Sequence, residues 1–131
     1  MNMAVLNNDT GSVALENTRY DDETFTAAGA KTYPAGTILA RLTADEKLVV
    51  FVKGGSGGAE VPVAVLTGAF ISTGAGDFRI RPCVSGGVRK QRLIIDADGD
   101  GSNVDQVVTD GLRDFGIYAQ SVTELNILDN Q

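Results

Sequence analysis

The sequence predicts a small, mainly β domain of sandwich or barrel type, with one short α-helix and an extended N-terminal arm. Three observations lead there. From Tyr33 onward, short β-branched runs recur at sandwich-like spacing, each closed by glycine, proline or an Asp-rich cluster. A single stretch, around Val104 to Phe115, carries a helical period. Residues 1–30 sustain neither period and are rich in Asn, Asp, Thr, Gly and Ala.

Composition narrows the functions open to such a domain. A chain of 131 residues fits one fold, since single domains run to roughly 100–150 residues. With 43% hydrophobic and 21% charged residues it has apolar material for a core and lacks the signature of disorder. There is no histidine, which removes Ser/His/Asp and Cys/His pairs, His metal ligands and the usual near-neutral general base. An enzyme is therefore not expected. A carboxylate-only glycosidase is disfavoured by 6% aromatic residues and the absence of tryptophan. The net charge of −6 argues against nucleic acid and against anionic membrane as partners. The lone cysteine, Cys83, sits in an apolar strand context and reads as a small buried hydrophobe. The longest apolar runs, such as Leu48 to Val52, are far too short to span a bilayer. No basic region precedes an apolar stretch, so the expectation is a protein made in a cytoplasm.

In chain order, Met1 to Ala30 holds Val5-Leu6 and Val13-Ala14-Leu15 as isolated apolar spots, and Asp21-Asp22-Glu23 as a solvated cluster. The residues alone support either a plain terminus or an arm, flexible until bound, that adds backbone hydrogen bonds to a partner's sheet. The division drawn is an arm over 1–30 and one β-rich domain over 31–131. Tyr33-Pro34-Ala35-Gly36 has turn chemistry. Thr37 to Thr43 alternates, with Ile38, Ala40 and Leu42 on one face, and Lys47 to Lys53 follows after Ala44-Asp45-Glu46. The two predict a hairpin whose second strand is buried on both faces.

Gly54 to Gly58 is a loop without the Lys-Ser/Thr ending of a phosphate-binding loop. Val61 to Thr67 is a strand with Pro62 at an edge or a start. Ala69-Phe70-Ile71 is a short strand, Phe78 to Val84 another, Ser85-Gly86-Gly87 a turn, and Val88 to Ile95 a further strand. About six strands result, before a closing pair at Ile117 to Ala119 and Val122 to Leu128. Arg79, Arg81, Arg89, Lys90 and Arg92 lie close in sequence, either as a docking patch for an acidic surface or as a solvated strand face.

Asp96-Ala97-Asp98-Gly99-Asp100-Gly101 resembles the start of a calcium loop, with carboxylates at positions 1, 3 and 5 and glycine at 6. The twelfth position falls on Val107, where a bidentate acid belongs, and no helix precedes. Asp96, Asp98 and Asp100 are thus weak metal candidates. An Asp/Gly turn bonding its own backbone explains them without a cofactor, and a calcium-dependent β module is the alternative function they would support. Beyond them Val104, Val107, Val108, Leu112 and Phe115 predict one helix face, with Asn103 as N-cap, Gln106 completing a capping box, and Gly116 as the stop. Gly111 weakens the helix interior by about 1 kcal/mol relative to alanine.

The ordered set of these pieces resembles the tailed-phage head decoration, or capsid cement, proteins of the lambda type. Ala35-Gly36-Thr37-Ile38-Leu39 through Thr43, Lys47-Leu48-Val49, the glycine loop and Val61-Pro62-Val63-Ala64-Val65-Leu66 are similar to that family's opening. Ser72 to Asp77 resembles its Gly/Asp loop, Ser85-Gly86-Gly87-Val88 a later turn, and Leu112 to Ile117 its helix end. The resemblance spans about residues 30–120; Asp96 to Asn103 and the tail past Tyr118 have no counterpart in it. It implies a virion structural protein on the outer surface of an expanded capsid, bound to the major capsid protein and to itself, as a trimer or a dimer. It also implies that the arm, with Val5, Leu6, Val13, Ala14 and Leu15, orders on the shell.

Overall fold

The computed structural model describes residues 12–121. Along them run ten strands: β1 (Ala14–Tyr20), β2 (Glu23–Ala27), β3 (Lys31–Tyr33), β4 (Ile38–Arg41), β5 (Leu48–Val50), β6 (Pro62–Val65), β7 (Phe70–Ser72), β8 (Gly76–Ile80), β9 (Cys83–Arg89) and β10 (Ile117–Gln120). A 3-10 turn at Lys90–Arg92 and a helix, α1 (Gln106–Asp114), lie between β9 and β10. Eight strands form one curled sheet in the order β1-β9-β6-β4-β5-β2-β8, with β10 also on β9, and β3 pairs with β7 separately. The architecture is mainly β with one helix, as expected from the sequence.

The predicted hairpin forms the middle of the sheet. β4 and β5 pair antiparallel, Leu39 opposite Val50 and Arg41 opposite Leu48. The turn closes through the Leu42 N–H to the Lys47 carbonyl at 3.0 Å. Alternation along β4 sends Ile38 and Ala40 into one core and Leu39 into another, and all three are fully buried. A central strand covered on both faces reads as a continuous apolar run. The first core lies under α1 and includes Phe51, Val65, Val88, Val108 and Leu112. The second collects Phe25, Tyr33, Leu48 and Leu66. Phe25 meets the Tyr33 ring edge-on at 5.0 Å and the Phe70 ring at 5.9 Å, geometry that suits the ring quadrupoles.

β9, α1 and β10 make a crossover unit, because β10 runs parallel to β9 with Ile117 opposite Gly86. Gly36 holds φ +100, and a Cβ there would stand 1.8 Å from the Arg92 carbonyl oxygen, so the predicted turn requires glycine. Cys83 is buried, its thiol donating to the Ser85 carbonyl at 3.1 Å.

The structure departs from the sequence reading in several places. Residues 14–27, assigned to the arm, hold β1 and β2 within the main sheet. β1 is an edge strand whose Glu16, Asn17 and Arg19 face solvent, and its pairing with β9 shifts register repeatedly, with Asn17 at φ +54. Such bulges erase a period of two. Phe78 to Val84 is not one strand: it divides at Arg81-Pro82, where β8 leaves β2 and β9 begins on β1 and β6. Proline has no N–H to continue a ladder. Gly86 and Gly87 do not turn the chain but lie inside β9, where a Cβ on Gly86 would be 2.5 Å from the Asn17 carbonyl oxygen. Val88 to Ile95 leaves strand geometry after Arg89.

The helix begins later than expected. Asp105, not Asn103, is its N-cap, accepting from the Val108 N–H at 3.1 Å. Gln106 donates to Asp110 at 2.8 Å instead of forming a capping box. Val108, Thr109 and Leu112 face inward, and a helix turns about 100° per residue. Val107 is carried to the outside and is 75% exposed. Phe115, past the last turn, is half-exposed, and Gly116 follows as the predicted stop.

Candidate functional site

Four surface features bear on function. The first is the entry of the chain into the sheet. The buried side chain of Arg89 donates from Nε to the Ser12 carbonyl at 2.8 Å, and its backbone N–H donates to the Val13 carbonyl at 2.8 Å. These bonds extend the β1–β9 ladder to the first described residues. Val13 is buried in the core under α1, while Ala14 and Leu15 are half-buried at the head of β1. Val5 and Leu6, also expected to act in the arm, lie outside the described residues.

The Asp-rich loop follows Ile95, whose carbonyl accepts from the Asp98 and Gly99 N–H groups, both at 3.0 Å. Asp96 receives the Lys31 ammonium at 2.7 Å, and that ammonium also stands 5.0 Å from the centre of the Tyr33 ring. The bond to Asp96 raises the Lys31 pKa. Asp98 accepts from Asn103 Nδ2 and Asp100 from the Ser102 N–H, each at 3.0 Å. The Ser102 amide holds the Asp100 carboxyl below the ordinary carboxylate range. The three candidates thus have three separate partners. Among the described residues no group of three or more Cys, Asp or Glu is placed to hold a metal ion.

The basic residues are also separated. Arg79 and Arg81 precede β9 and Lys90 and Arg92 follow it, with the strand's seven residues between them. Arg81 pairs with Asp22 at 3.1 Å, and Arg89 is buried. Arg89, being buried, does not share an exposed face with the other four. A bidentate ion pair lies elsewhere: Arg41 grips both oxygens of Glu23 at 3.0 Å and donates to the Glu46 carbonyl at 2.8 Å. That fork ties β2 to the β4–β5 turn, and the Glu23 hydrogen bond raises the Arg41 pKa.

The fourth feature is absent from the sequence reading. Phe115 overhangs an open groove of about 360 Å³ whose wall includes Val61, Val63, Thr43 and Arg41. The signal for it lies in the helix length: a helix starting at Gln106 and ending at Asp114 leaves Phe115 outside its inward arc.

A curled sheet covered by one helix, with β1 and β8 at its two ends among the described residues, defines a small β-rich protein. The family of the bacteriophage lambda head decoration protein D matches residues 7–117. The chain belongs to that family, and its role is accordingly structural, in the phage capsid. No curated protein matches the sequence.

Proposed function

We propose that the protein binds the outer surface of an expanded phage capsid and cements neighbouring major capsid protein subunits against the pressure of packed DNA. Membership of the head decoration family over residues 7–117 carries the reading. Its mechanism is binding without chemistry, multiplied over many symmetric copies. A homotrimer is the favoured assembly, a dimer the other, and synthesis takes place in the host bacterial cytoplasm.

The exposed edge of β1 supports a sharper version. Residues 1–11 precede a strand already in the sheet and carry Val5 and Leu6, so strand addition to a capsid-protein sheet would continue an existing ladder. Val13 belongs to the core, which restricts the contacting arm to residues before it. Co-sedimentation with expanded, empty shells of the parent phage tests both levels. The full chain should pellet with shells, and a chain lacking residues 1–11 should remain in the supernatant. Undiminished pelleting of the shortened chain would remove the arm from the account; failure of the full chain would remove the capsid.

A further inference from the structure

We propose that the groove under Phe115 docks an extended segment of the capsid shell in which Lys or Arg stands beside an apolar side chain, a contact that rests on the capsid reading and is separate from that of residues 1–11. The groove has a volume of about 360 Å³, and Leu42, Val61, Val63 and Phe115 give it apolar walls. Val61 and Val63 are half-buried, and Phe115 remains 49% exposed. An aromatic ring left open to solvent over an apolar recess has the composition of an interface centre, where aromatic anchors are enriched and charge is depleted.

The charge around those walls selects the partner. Arg41 lines the groove, but its guanidinium is committed to Glu23 and also stands near the Glu46 carboxylate, one cation between two acids. The neighbouring Lys47 is held by Asp77, and Arg113 by Asp110. On the acidic side, Glu46 lines the groove, Glu60 accepts from the N–H of the lining Gly58 at 3.0 Å, and Asp114 immediately precedes Phe115. All three are exposed, and none closes an ion pair among the described residues. The rim therefore carries a negative excess. Residues 1–11 and 122–131 hold no Lys or Arg to complement it. A second copy docked groove to groove would set acid against acid, which disfavours that pairing. A cationic segment with an apolar side chain satisfies rim and walls together.

Co-sedimentation with expanded, empty shells of the parent phage, at graded protein concentration, is the test, on full chains that keep residues 1–11. Phe115→Ser, and separately Glu46→Lys together with Glu60→Lys, should each weaken shell binding by about tenfold or more, with urea midpoints unchanged because all three positions are exposed. The charge reversal should also reduce the dependence of binding on salt. Ile71→Ser removes a 68% exposed apolar side chain that is not part of the groove and should bind as the parent does. Parent-like binding by the Phe115 variant or by the charge reversal would overturn the proposal and leave the capsid reading standing. An equal loss in Ile71→Ser would also overturn it, by making the effect one of surface apolarity in general. Failure of the parent chain to pellet would remove both readings.

Discussion

Gly111 of α1 rests directly on Pro62 of β6: a Cβ at residue 111 would stand 3.0 Å from the proline Cγ and 3.2 Å from its Cδ. The glycine that weakens the helix is what lets the helix lie on the sheet. In isolation alanine would gain about 1 kcal/mol of helix propensity. Here the methyl group must push the ring or lift the helix, and overpacking costs typically about 1–3 kcal/mol. Gly111→Ala should therefore fail to stabilise the protein. Made together with Pro62→Ala, the same change should be favourable by comparison, a coupling that urea denaturation of the four-member mutant cycle will read.

Phe25→Ala should be severely destabilising, by about 3–5 kcal/mol. The side chain is 1% exposed and touches the rings of Tyr33 and Phe70. Against a total stability of roughly 5–15 kcal/mol, such a loss leaves little. An unshifted denaturation midpoint would return β2 to the arm.

The pH dependence of α1 has a definite sign. Lys53 at 2.7 Å and the Val108 N–H hold the Asp105 carboxyl below its ordinary 3.8. A depressed carboxylate contributes stability above its unfolded value, and the contribution is lost as pH falls through the lowered folded value. Both side chains are substantially exposed, so the effect is small and weakened by salt. Asp105→Asn retains the cap acceptor and removes the charge. Its stability profile between pH 7 and about pH 2 should be flatter than the parent's in the acid limb, as urea midpoints across that range will show.

Cys83 should be inert in the folded protein. Burial raises its thiol pKa, and the thiolate is the reactive species. Dithionitrobenzoate should titrate no thiol under native conditions at mildly alkaline pH and one thiol in guanidinium. Fast native reaction would mean that β9 opens readily.

Those parts of the fold governed by local chemistry were legible. The β4–β5 hairpin follows from alternation around Ala44-Asp45-Glu46, and Pro62 does open β6. The existence of α1 follows from Val108 and Leu112, and its end from Gly116. Features set by non-local pairing were hidden. Glu16, Asn17 and Arg19 look like a polar tail because β1 is a bulged edge strand, and only the approach of β9 gives them a ladder. Pro62 likewise carries no mark that a helix glycine will settle on it. The Asp-rich loop looks like half a calcium site until Lys31, sixty-five residues earlier, takes Asp96. Surface function suffers most from this gap, because a groove such as that under Phe115 exists only once strands distant in sequence are assembled.

Arg89 touches the strand that begins the described chain and the strand that ends it: its N–H bonds Val13, and Gln120 stands opposite it in the ladder. The described residues, 12–121, therefore begin and end against the same residue of β9. A short linker joining residue 12 directly to residue 121, with the flanking residues removed and a new opening cut at the Gly54 to Gly58 loop, would preserve every strand pairing described for the sheet. Chain order, in this molecule, is a property separable from the fold.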